Sequence, residues 1–137
     1  MIKKIMVPVD LAHKDDLKNA VSQAGQISKL NSATIHLIGV TSSAPTEVAK
    51  TPESYDEKLK AFAKEVSDQT GCPVETLSLV DVDVSADLGH VLVDRSDELK
   101  IDLIVMASHI PGFLEHIIAS NAGYVASHAK CSVYVVR

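Results

Sequence analysis

Five short apolar runs recur along the chain and predict five β-strands, at residues 2–9, 33–40, 74–80, 101–106 and 132–136. An uninterrupted apolar run of this length is typical of a strand that is buried on both faces of a parallel sheet. The third run alternates polar and apolar side chains more than the others, which is typical of an edge strand. Pro8 and Asp10 at the end of the first run indicate that the chain leaves the sheet there.

The segments between the runs carry apolar side chains at helical spacing and predict four helices, centred on the stretches 17–30, 55–66, 88–99 and 114–125. Asn31 and Gly71 are predicted helix ends, and Asp87 is a predicted helix start. The order is strand then helix, four times, closed by a strand. It predicts one α/β domain over residues 1–137, a doubly wound, Rossmann-like parallel sheet with strand order 3-2-1-4-5.

Composition narrows the class of protein. With 46% hydrophobic and 23% charged residues, the 137-residue chain has an ordinary globular composition. A net charge of −5 and only 4% aromatic residues argue against a nucleic-acid partner. The sequence has no apolar run of about 18 residues and no recognisable secretory signal, so we expect no membrane insertion and a cytoplasmic location. Cys72 and Cys131 lack metal-ligand spacing, and a disulfide between them is the minority interpretation.

The default ligand site lies at the switch point of the predicted sheet. Open parallel sheets bind ligands beyond the carboxyl ends of their strands, where the strand order reverses. Here that point falls between strands one and four, at Val9, Asp10 and residues 107–109. Asp10 is suited to accept hydrogen bonds from ribose hydroxyls, or equally to cap a helix. Ser120 and Asn121 favour helix caps, so they indicate either a phosphate-binding helix N-terminus or a polar patch on a solvated face.

Other reactive side chains give weaker signals. His109 has no nearby nucleophile in a recognisable turn and no paired acid, so we expect it to contact ligand or line a loop rather than to catalyse. Asp81, Asp83 and Asp87 lack the glycine and the downstream glutamate of a calcium loop. We therefore predict no catalytic residue and no metal site of the protein's own.

Three separated segments resemble the universal stress protein family. They are IMVPVD at residues 5–10, IDLIVMASH at 101–109 and IIASNAGYVASHAKCSVYVVR at 117–137. The segments fall in the family's order, and the resemblance covers nearly the whole chain. The combination of ASH-x-P, SNA and CSVYVVR is most like the branch represented by universal stress protein F.

The family's phosphate motif is altered in this chain. Nucleotide-binding members carry glycine, two residues, glycine, nine residues, then glycine followed by Ser or Thr. Ala107, Ile110 and Ala119 stand in place of the glycines, the last one residue early. Ile110 is the serious departure, since a β-branched residue is poor at positive φ and adds bulk. Pro111 follows it, as in the F branch, so the alteration predicts weakened rather than abolished nucleotide binding.

The resemblance implies where each part of an adenine nucleotide would lie. Adenine would lie near Val40, and Asp10 would hold the ribose. The phosphates would meet the amides and side chains of residues 120–122. These phosphate contacts are Ser120, Asn121 and Ala122. The remaining implied pocket residues are Pro8, Val9, Met106, Ala107, Ser108, His109, Ile110, Pro111 and Ala119. No Lys or Arg falls between residues 101 and 129, which favours AMP, or ATP with Mg²⁺, over tight binding of free ATP.

Three functional hypotheses follow. The leading one is a cytoplasmic stress-response regulatory protein that binds AMP or ATP, has no enzymatic activity and forms a homodimer through Ser132–Val136. That last strand has no later strand to pair with and no internal charge. The alternative is a nucleotide-free family member that acts only through contacts with a regulatory protein partner. A slow nucleotide hydrolase ranks last, because no convincing base or nucleophile is present.

Overall fold

The fold is a five-stranded sheet between two layers of helices. The computed structural model describes residues 1–41, 48–80, 84–107 and 121–137, with only the backbone of 84–87. Its elements in chain order are β1 (Lys4–Val9), a 3₁₀ helix (Leu11–Leu17), α1 (Lys18–Asn31), β2 (Thr34–Thr41), α2 (Pro52–Thr70), β3 (Val74–Val80), α3 (Val84–Glu98), β4 (Leu103–Ala107), α4 (Ala122–His128) and β5 (Ser132–Val136). All strand pairs are parallel, in the order β3-β2-β1-β4-β5, which confirms the predicted architecture.

Two hydrophobic cores explain why the strand sequences do not alternate. In β1, Ile5, Val7 and Val9 pack into the core that α1 and α2 cover. Met6, between them, packs into the core on the opposite face with residues of α3 and α4. Because successive side chains of a strand point to opposite faces, a strand covered on both sides is apolar throughout.

The predicted helix ends are confirmed, but one predicted start is wrong. α1 ends at Asn31, and α2 ends before Gly71, whose φ of +70° is a left-handed conformation that glycine adopts easily. α3 begins at Val84, so Asp87 lies inside the helix and does not cap it. The apolar stripe that suggested the start begins only at Leu88, because a stripe marks where a helix meets the core and not its first turn.

Pro8 divides the pairing of the central strand. β1 pairs with β2 along its whole length, through Pro8–Ile38 and Val9–Gly39. It pairs with β4 only through Ile5–Leu103 and Met6–Ile104. The Lys4 carbonyl accepts from the Asp102 amide, so alternate residues Lys4, Met6 and Pro8 turn their main-chain groups towards β4. Pro8 has no N–H to continue that ladder, and the pairing of β1 with β4 ends at Met6.

Candidate functional site

The carboxyl ends of β1 and β4, which are neighbours in the sheet, are not paired with each other. The two strands are unpaired beyond Met6, whereas β4 stays paired with β5 as far as Ala107–Val136. The buried residues Pro8, Val9, Met106 and Ala107 form the ends of these two strands. The structure therefore brings these four predicted residues to one edge of the sheet, at the switch point.

Asp10 directly follows β1 and caps the 3₁₀ helix. Its Oδ1 accepts a hydrogen bond of 3.1 Å from the Ala12 amide. Its Oδ2 lies 3.0 Å from Nδ1 of His13, which must carry the hydrogen because a carboxylate only accepts. The capping role is thus confirmed. A carboxylate has about four acceptor positions, so capacity remains for ribose hydroxyls, and the ribose role stays a prediction.

His13 is a neighbour that the sequence analysis missed. It interrupts the 3₁₀ helix with φ −129° and ψ 35°, and this break lets the ring fold back onto the Asp10 carboxylate. The signal in the sequence was the three-residue spacing from Asp10, immediately after a predicted strand. The ring fixes the orientation of the carboxylate directly after β1.

Tyr55 is a second residue that sequence reasoning did not connect with the site. Its side chain is only 4% exposed and lies against Gly39, next to Val40 near the end of β2. A Cβ atom added to Gly39 would lie 2.6 Å from the phenolic oxygen of Tyr55 and 2.9 Å from its Cε1. Glycine at this position therefore makes room for the ring.

The Tyr55 hydroxyl is buried and unpaired among the residues that the structure describes. Burial raises its pKa well above the usual value, and the Asp10 carboxylate adds to that rise, while the nearby main chain of Val40 opposes it. The phenol consequently remains a neutral hydrogen-bond donor. Its oxygen lies against Gly39, near the end of β2.

The start of α4 carries the next pair of predicted site residues. Asn121 directly precedes the helix, and its carbonyl accepts from the Val125 amide at 3.0 Å. Ala122, the first helical residue, is buried. The Oδ1 atom of Asn121 faces α3 at Gly89, where an added Cβ would lie 2.9 Å away. The expected position at a helix start is confirmed, and contact with phosphate stays a prediction.

Six of the predicted site residues lie outside the described residues: Ser108, His109, Ile110, Pro111, Ala119 and Ser120. Two of the three positions where the family carries motif glycines are among them. Asp81 and Asp83 are also outside.

Metal sites, disulfides and membrane-spanning helices are all absent from the described ranges. No three His, Cys, Asp or Glu side chains there are grouped so that they could hold a metal ion. Cys72 and Cys131 are free thiols, and burial raises the pKa of Cys131. No helix within these ranges combines the length and apolar character of a membrane span.

A family model and individual known proteins both match this chain over its whole length. The model of the universal stress protein family matches residues 1–137. Universal stress protein G of Salmonella typhimurium is 25% identical over 146 residues, and the match covers all of both chains. This relative carries the designation G, and the assignment of our chain to the F branch stays a prediction.

Two solved structures show the same fold. A universal stress protein in complex with cAMP matches with a TM-score of 0.68 at 24% identity, over 99% of this chain and 97% of that one. The universal stress protein from Archaeoglobus fulgidus in complex with dAMP matches with a TM-score of 0.70 at 20% identity, over 100% of both. With a family match that spans every residue and a sheet of the predicted strand order, the chain belongs to the universal stress protein family.

Proposed function

We propose that this chain is a stress-response regulatory protein that binds an adenine nucleotide, AMP or ATP, between the carboxyl ends of β1 and β4. The observation that carries the proposal is the Asp10 carboxylate, held by the Ala12 amide and the His13 ring directly after β1, where β1 and β4 are no longer paired. A fixed acceptor at the switch point of a parallel sheet suits the hydroxyl groups of a ribose.

The apolar and polar parts of the site match the parts of a nucleotide. Val40 and the buried end of β2 offer an apolar surface for adenine, while Asp10 offers acceptors for ribose. Two structural neighbours are universal stress proteins in complex with cAMP and with dAMP, and both ligands share adenine and a sugar. We extend that ligand class to this chain, with the phosphates directed towards the start of α4.

The phosphate end of the proposed ligand has little positive charge to meet it. No Lys or Arg lies between residues 101 and 129. AMP, with one phosphate, therefore fits the proposal best, and ATP would need Mg²⁺ to offset its charge. The protein would act by binding and signalling and not by turnover, in the cytoplasm, with a regulatory protein as its downstream partner.

We also propose that the protein is a homodimer through β5. The strand is at the edge of the sheet, and Tyr134 and Val135 are 41% and 37% exposed. An uncharged, exposed edge presents unpaired main-chain groups, and a two-fold pairing with a second β5 would satisfy them.

A second function is favoured by one observation. The motif glycines are replaced by Ala107, Ile110 and Ala119, which supports a nucleotide-free protein that acts only through protein contacts. The Asp10 carboxylate favours the nucleotide-binding function, because it is already held by the Ala12 amide and the His13 ring and keeps acceptor positions for a ribose.

The decisive experiment is to purify the protein without added nucleotide, denature it and identify any released small molecule by mass spectrometry. AMP or ATP at near-stoichiometric yield supports the proposal. If the protein is empty, calorimetry with each nucleotide follows, because a weak site loses its ligand during purification. Absence of binding at millimolar concentrations selects the nucleotide-free function.

A further inference from the structure

The hydroxyl of Tyr55 stands out among the buried polar groups of the described chain. Tyr55 belongs to the first turn of α2, which Thr51 caps by accepting from the Ser54 amide at 3.0 Å. Because Gly39 has no side chain, the phenol packs directly against the end of β2, adjacent to Val40. This is the place where adenine is expected in the proposed function.

The buried hydroxyl lowers the stability of the folded chain when no ligand is bound. Although Tyr55 is almost wholly buried, its hydroxyl hydrogen finds no acceptor among the described residues, and the Val40 main-chain amide near the oxygen is itself a donor. An unpaired buried hydroxyl destabilises a folded protein, and phenylalanine would fill the same space without that penalty. A partner supplied by a ligand would account for the hydroxyl.

The surroundings indicate which part of a ligand that partner is. Asp10 lies near enough to Tyr55 for its carboxylate to influence the phenol. The two groups are complementary, because a neutral phenol donates a hydrogen bond and a carboxylate accepts one. The phenol therefore suits a ring nitrogen of a purine, which accepts a hydrogen bond. The Asp10 carboxylate suits the ribose hydroxyls, which can donate one.

We propose that Tyr55 is a specificity-determining residue of the nucleotide site, whose hydroxyl donates a hydrogen bond to a ring nitrogen of the adenine base while Asp10 holds the ribose. This inference rests on the proposed function. Because the hydroxyl is buried in the free protein, the side chains around it must move for the base to reach it. Binding then removes an unpaired polar group from the free protein.

The test is calorimetric titration of the full chain with AMP and with 2′-deoxy-AMP, together with thermal unfolding without ligand. The proteins are the wild type, Tyr55→Phe and the matched control Tyr134→Phe, which removes the same hydroxyl from exposed β5. We expect Tyr55→Phe to weaken both ligands by the same factor, about five- to tenfold for one neutral hydrogen bond. Its melting temperature should be equal to that of the wild type or higher, and Tyr134→Phe should bind both ligands normally.

Three outcomes with a nucleotide-binding wild type overturn this inference alone. The first is unchanged affinity in Tyr55→Phe, whatever its melting temperature. The second is a loss confined to AMP, which would assign the hydroxyl to the ribose 2′ position. The third is a loss of affinity in Tyr134→Phe equal to that in Tyr55→Phe. A wild type that binds neither nucleotide overturns the proposed function and the inference with it.

Discussion

At the scale of single residues, Asp10 combines a structural and a proposed binding role. It caps the 3₁₀ helix through Oδ1 and meets His13 through Oδ2. Replacement by alanine would remove both contacts. A loss of nucleotide affinity in that variant would therefore not distinguish a lost ribose contact from a displaced turn. Asparagine retains an oxygen for the Ala12 amide but removes the charge, which separates the two roles.

We predict that Asp10→Asn leaves the fold intact and weakens AMP binding by about 1.5–3 kcal/mol, as expected when a charged acceptor is lost. Asp10→Ala should weaken binding at least as much and also lower the free energy of unfolding by about 1 kcal/mol, because the cap is lost. Calorimetry and chemical denaturation measure the two effects. Equal AMP affinity in Asp10→Asn and wild type would reject the ribose role.

His36 is the residue through which pH should act on stability. It lies in β2 with its side chain 13% exposed, and its Nδ1 is 3.4 Å from Oε2 of Glu75. Burial lowers the pKa of His36 below its usual value of 6.5; the Glu75 carboxylate opposes that shift and Lys4 adds to it. The folded protein therefore binds a proton at His36 less readily than the unfolded chain does.

We predict that this depressed pKa makes the protein less stable as pH falls below about 6.5, because the unfolded state then takes up more protons. The loss should end once pH has passed below the folded-state pKa, where both states are protonated. Denaturation at several pH values between 5 and 7.5 checks this. The dependence should shrink in His36→Gln and persist in His128→Gln, which alters an exposed histidine on α4. An undiminished dependence in His36→Gln would contradict the assignment.

At the scale of elements, one glycine sets how closely α3 and α4 approach. A Cβ added to Gly89 of α3 would lie 2.6 Å from Cδ1 of Tyr124 in α4. Glycine inside a helix costs about 1 kcal/mol relative to alanine, so close packing must offset that cost here. An added Cβ at Gly123, in α4 itself, would meet no described atom within 4 Å beyond its chain neighbours and its own helix backbone, so Gly123 offers a direct comparison.

We predict that Gly89→Ala lowers the free energy of unfolding by about 1–3 kcal/mol, through overpacking against Tyr124. Gly123→Ala should raise it by about 0.4–1 kcal/mol, since alanine favours the helix and meets no obstacle. Chemical denaturation of both variants provides the measurement. Stabilisation by Gly89→Ala would show that the two helices are not limited by this contact.

At the scale of the whole molecule, the two edges of the sheet differ. β3 carries Glu75 and other polar residues along its length, and a charge blocks edge-to-edge pairing. β5 carries no charge within Ser132–Val136, and Arg137 follows it. The β5 edge is therefore the better surface for the proposed homodimer.

We predict that the wild type sediments as a dimer at tens of micromolar and that Val135→Lys is monomeric, because the introduced charge loses burial and meets its own copy. Leu30→Lys is the control, since Leu30 is an 86% exposed apolar residue on α1, outside β5. Analytical ultracentrifugation distinguishes the states. A monomeric wild type, or a dimeric Val135→Lys, would refute the β5 interface.

The sequence by itself determined the elements and their order. Apolar runs of strand length and stripes of helical period are local patterns, and each follows from which faces of an element are buried. Gly71 could be assigned to a helix end because the left-handed conformation is a property of one residue. Asp10 could be placed at the site because its position after the first strand is also local.

Only the tertiary structure decided how distant residues meet. Pro8 could be seen as the end of a strand, but its effect on the pairing of β1 with β4 depends on which neighbour its missing N–H would face. Tyr55 fitted a helical stripe, and its contact with Gly39 arises from how α2 crosses the sheet. The Asp102 carboxylate accepts from the amides of Lys3 and Lys4 across the chain in the same way. Such contacts depend on strand register and helix placement, which are set by the packing of the whole core and leave no periodic trace in the sequence.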